Sequence, residues 1–167
     1  MGIRYEKAED IKKRTEEIVR VLEWHWIDLN NVGFIRSHGS ESRGTIARCH
    51  AMGKAMQIAL NREGYYLIEV ISKRFDKFPQ EEQTKVLIHE LMHIPKTFGG
   101  GFKHHNVVND KSVEHFYDIY CKRIGLTRGA SDSPENKSEL KFRGQIVRVG
   151  EASGNRTGGL SRGWKWF

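Results

Sequence analysis

Hydrophobic and polar positions follow three different rhythms along this chain, and each predicts a different element. Between Tyr5 and Trp24, Ile11, Ile18, Val21 and Leu22 recur at helical spacing among Glu and Lys residues, which predicts an amphipathic helix. Val32-Gly33-Phe34-Ile35 is a short apolar run that reads as a strand, closed by the polar turn "SHGSESRG" (37–44). Thr45 to Leu60 is mixed: "TIARCHAM" alternates as a strand would, and "KAMQIAL" either ends it or begins a helix. "YYLIEVIS" (65–72) is the clearest strand, rich in aromatic and β-branched residues and bounded by Gly64.

The rhythm then lengthens. "RFDKFPQEEQTKVLIHELMHIPK" predicts a helix with both ends marked. Pro79 suits the first helical position, and Glu81 and Glu82 put negative charge in the first turn, where the helix dipole favours it. Pro95 restricts the residue before it and stops the helix shortly after His93. Val86, Leu87, Ile88, Leu91, Met92 and Ile94 cover most of the circumference, so this helix is expected to be buried. A second helix, Ser112 to Ile124, presents Val113, Phe116, Tyr117, Tyr120 and Ile124 as its apolar stripe, and Gly125 ends it. Together these elements predict an α+β fold: helices packed on a small, mostly antiparallel sheet, with the His89–His93 helix beneath it.

Past Leu126 the composition changes. Residues 127–139 form a polar linker, 140–150 alternate as a strand or hairpin would, and the last stretch is glycine-rich, basic and ends in "GWKWF". One domain over 1–126 is expected, followed by a basic C-terminal extension over 127–167, either docked or a flexible arm. The charge supports that division. Residues 121–167 carry 10 Lys+Arg against 4 Asp+Glu, so nearly all of the net charge of +7 resides there. Such a tail can grip nucleic acid or simply be a solvated end.

The 167 residues suit a single core, and no apolar run is long enough to span a bilayer. The N-terminus lacks the uncharged core of a signal peptide, so a cytoplasmic location is expected. Cys49 and Cys121 sit in no Cys-x-x-Cys pair, which excludes a four-cysteine zinc site and predicts two buried free thiols.

The candidate chemistry lies in "HELMHIPKTFGGGFKHH" (89–105), which holds four of the eight histidines. On a helix, His89 and His93 stand one turn apart on the same face and can aim two imidazoles at one zinc ion. Glu90, rotated by roughly 100°, cannot ligate beside them but can reach a water held by that ion. A catalytic zinc needs a third protein ligand. Position 99, where metzincins place it, is glycine. His104 and His105 are the candidates, since glycines 99 to 101 let the chain turn back; His105 is preferred because Asn106 tolerates a left-handed turn. Glu114 is the alternative, on the following helix. Glu90 would then act as general base on a zinc-activated water and pass the proton to the leaving amine.

"LIHELMHIPKTFGGGFKHHNVVND", with "YYLIEVISKRFD" and "SHGSESRGTIARC" before it, resembles the metallopeptidase family found in archaea and phages, over about residues 30 to 125. That family belongs to the zincin superfamily and is distantly similar to SprT-like metalloproteases. The resemblance implies a zincin-like fold, Zn2+ bound by His89, His93 and a loop histidine, Glu90 as catalytic base, and a peptide or protein substrate. The chain offers His-His-Asn where SprT-like proteins usually show His-Gly, and it lacks their cysteine-rich module. An alternative reading is a non-catalytic nucleic-acid-binding module, with a structural metal and the basic, aromatic tail as its grip. Glu90 separates the two, because a closed structural site has no use for a carboxylate beside the first histidine.

Overall fold

The computed structural model describes residues 2–40 and 44–126. Four strands form one sheet in the order β1-β2-β4-β3. They are β1 (Arg4–Lys7), β2 (Val32–His38), β3 (Ala47–Ala51) and β4 (Tyr66–Ile71). β1 pairs antiparallel with β2 and β3 antiparallel with β4, while β2 and β4 at the centre run parallel. The sheet is therefore mixed. Its parallel centre is possible because β3 and a short helix, α2 (Lys54–Ala59), lie in the long connection between β2 and β4.

Side chains alternate across the sheet. Phe34, Ile68 and Cys49 fall in register on one face and are all buried, joining a core that includes Leu87 and Leu91. On the other face Arg48 stands across from Glu69, whose side chain is only 3 % exposed. Glu69 is held there by His50 at 2.9 Å and Arg48 at 3.3 Å. A buried carboxylate needs such partners.

Three longer helices cover the core: α1 (Glu9–Leu22), α4 (Gln80–Met92) and α5 (Asp110–Arg123). The single turn α3 (Ser72–Phe75) follows β4 directly. Two expectations need correction. The N-terminal helix does not include Tyr5, because Arg4–Lys7 extends and pairs with β2; the apolar stripe starts only at Ile11. The helix expected from Arg74 onward is split, with Pro79 standing one position ahead of α4 rather than inside its first turn. β4 has a strand on each side, so among the described residues the edge strand next to α4 is β3.

Cys49 and Cys121 are both free and buried. No described helix is long and apolar enough to cross a membrane. The linker, the strand or hairpin expected at 140–150 and the aromatic basic terminus, on which the nucleic-acid-binding alternative depends, lie outside the described residues.

Candidate metal centre

α4 owes its position to its sequence. Val86, Leu87, Ile88, Leu91 and Met92 are all buried, which sinks the helix into the core. His89 and Glu90 lie in its last turn and His93 caps its C-terminus. A side chain at the end of a sunken helix is buried without being surrounded by helix, and that is where His93 is found, fully buried.

The two rings meet. Nε2 of His93 lies 3.1 Å from Nε2 of His89. The tautomer of His93 follows from its other nitrogen: Nδ1 stands 2.6 Å from the Lys103 carbonyl oxygen, which only accepts, so Nδ1 carries the proton. Nε2 is therefore the lone-pair nitrogen and faces His89. Phe102 stacks on the His93 ring at 4.4 Å between centroids and locks its plane. Nothing in the sequence marks Phe102 or Lys103, because a ring stack and a backbone carbonyl contact leave no residue-type signature.

The glycine loop then returns the chain. Lys103 N–H donates to the His93 carbonyl at 2.9 Å, pinning the loop to the helix end. The carbonyl of His104 next accepts from Val107 and Val108, closing a turn. His105 sits in that turn, its ring centroid 4.8 Å from that of His93 and 5.5 Å from that of His89. Ligand atoms of His89, His93 and His105 all lie within 4.8 Å of one another. His104 does not join them; it is exposed, with its ring near Phe102. Asn106 does not supply the left-handed turn expected of it, since the positive φ angles of this loop belong to Phe98 and Gly100. Glu114 is elsewhere, paired with Lys85 at 2.8 Å. Tyr117 and Tyr120 are buried in the core.

His89 and His93 fit a metal ion by a geometric test and a chemical one. Two nitrogens roughly 2.0–2.1 Å from a tetrahedral ion stand about 3.3 Å apart, close to the observed His89–His93 separation. Ligation also requires neutral rings. Burial, reinforced by the neighbouring histidines, pulls the pKa of His89 down to about 3. Burial likewise pulls that of His93 down to about 4, against the opposing effect of the Lys103 hydrogen bond. Both rings are thus poised to bind without losing a proton first.

Glu90 is also fully buried, and neither carboxylate oxygen has a hydrogen-bond partner among the described residues. Burial pushes its pKa well above the usual carboxylate range. The Cys49 backbone amide on β3 and the charge of Arg48 pull the other way, the amide from outside ordinary hydrogen-bond geometry. An unpartnered buried carboxyl costs stability and calls for an explanation in function.

A family model described as "Putative phage metallopeptidase" matches residues 3–137, a wider span at both ends than the motifs alone mark out. No curated protein and no solved structure matches the chain.

Proposed function

The chain belongs to the phage metallopeptidase family, and from that premise we propose that it is a zinc-dependent peptidase with a zincin-like catalytic helix. His89, His93 and His105 would hold the ion, and Glu90 would act as the general base. The observation that carries this reading is the convergence of the three rings, with the lone pair of His93 aimed inward by the Lys103 carbonyl. When bound, zinc supplies a Lewis acid and lowers the pKa of its water to roughly 7.

The remaining chemistry falls to the chain. Glu90 takes the proton of the attacking water and delivers it to the departing amine. Its raised pKa in a buried setting suits that traffic, since a nearby cation favours the charged form and proton uptake restores the neutral one. The outer edge of β3, which has no strand partner among the described residues, runs past Cys49 beside Glu90 and could take an extended peptide.

Glu90→Gln tests the assignment. It should keep the metal and lose peptide hydrolysis by about 10²-fold or more. Full activity in that variant would remove Glu90 from the mechanism.

A further inference from the structure

Three consecutive glycines are the loosest backbone a chain can offer, yet beyond this run the His105 ligand atom stands within 4.8 Å of those of His89 and His93. Two polar side chains from outside the histidine motif take hold of it. Tyr66, at the start of β4, is fully buried. Its hydroxyl accepts from the Gly100 N–H at 3.0 Å and donates to the Gly101 carbonyl at 2.9 Å. Phe98 packs edge-on against the same ring at 4.8 Å.

Gln57 is the second. α2 is inside out: Met56 and Ile58 are exposed at 55 % and 71 %, as is Leu60 just after the helix, while Gln57 is buried at 4 %. Apolar packing cannot have set that orientation. Gln57 Nε2 donates instead to the Met52 carbonyl at 2.8 Å and to the Gly99 carbonyl at 3.1 Å. The loop fits so closely against it that a Cβ on Gly100 would come within 2.1 Å of Nε2.

We propose that Tyr66 and Gln57 are positioning residues for the loop ligand: together they fix Gly99 to Gly101 so that His105 reaches His89 and His93. The proposal rests on the metal-site reading above. The Tyr66 hydroxyl and Gln57 Nε2 bond to backbone groups of this loop and of Met52, 34 to 42 residues apart in sequence for the loop bonds. Removing these hydrogen bonds while keeping the Tyr66 ring in the core therefore frees the loop and leaves the sheet and the α1–α4–α5 core intact.

Co2+ binding to the full chain tests it, read by affinity and by the ligand-field absorption that reports coordination geometry. The variants are Tyr66→Phe, Gln57→Leu, His105→Ala and the double variant Tyr66→Phe/His105→Ala. Wild type should bind one Co2+, and Tyr66→Phe and Gln57→Leu should each weaken it by about 10–100-fold, with an altered absorption band. The decisive result is non-additivity: once His105 is gone, removing the Tyr66 hydroxyl should cost no further affinity. Wild-type affinity in both single variants, or losses that add in the double variant, would overturn the positioning role. A wild-type chain that takes up no Co2+ would overturn the metal site itself, and the proposal with it.

Discussion

His93 and Lys103 clasp one another twice: the ring Nδ1 donates to the Lys103 carbonyl at 2.6 Å, and the Lys103 N–H returns to the His93 carbonyl at 2.9 Å. One bond fixes the tautomer of the ring and the other fixes the chain that supplies the next ring. The end of α4 and the start of the loop are thereby a single unit.

The two adjacent loop histidines should behave differently. His105→Ala should lower zinc affinity on the order of a hundredfold, because a ligand is lost. His104→Ala, whose ring lies outside the cluster, should stay within about threefold of wild type. Competition against a chromophoric chelator measures both, and the reverse order would reassign the third ligand.

Zinc uptake should depend weakly on pH near neutrality. The pKa values of His89 and His93 lie at about 3 and about 4, so neither ring must give up a proton at pH 7. The logarithm of affinity plotted against pH should rise by less than about one proton between pH 5.5 and 7. A slope near two would mean that both rings are charged before binding. In the metal-free chain the same depressed values remove stability as pH falls below about 6.5, because unfolded histidines take up protons that the folded ones refuse.

Glu69 predicts a separate acid limb. Its hydrogen bond to His50, aided by Arg48 and opposed by burial, brings its pKa down to about 2. A folded pKa below the unfolded one of about 4.3 stabilises the fold above that pH; the benefit fades as pH drops from about 5 toward 2. About 2–3 kcal/mol is at stake, given that the side chain is 3 % exposed. Urea midpoints across this range should fall less steeply for Glu69→Gln than for wild type; parallel curves would contradict the assignment.

Gly100→Ala and Gly99→Ala should separate cleanly. Gly100 has φ of +85° and an added Cβ would also strike the Met52 carbonyl at 2.4 Å, whereas at Gly99 the nearest atom is 3.9 Å away. Gly100→Ala should cost about 1–3 kcal/mol and Gly99→Ala less than 1 kcal/mol, measured by thermal unfolding.

The elements with strong periodicity were legible from the sequence: α4 through its all-round apolar pattern, β4 through its β-branched run, and the two inward histidines through their spacing. Tyr5 was not, because nothing local distinguishes the first turn of a helix from a strand that is extended only by pairing with β2. Which of His104 and His105 stands near the other two rings is not written in residue type, because the loop is held by bonds from Gln57, Tyr66 and His93 to backbone atoms that every residue type possesses. The parallel pairing of β2 with β4 was equally silent. Short strands of this composition read alike in either direction, and only the register reveals which way each runs.

β1 is four residues long, exposed along its whole length, and covers the outer side of β2. It adds little to the core, but it occupies the hydrogen-bonding groups of a longer and more apolar neighbour and meets solvent with Arg4, Glu6 and Lys7. Removing residues 1–7 would convert β2 into an open template for other molecules. Such a shortened protein should keep its fold and yet precipitate on concentration, so the first few residues guard colloidal behaviour rather than catalysis.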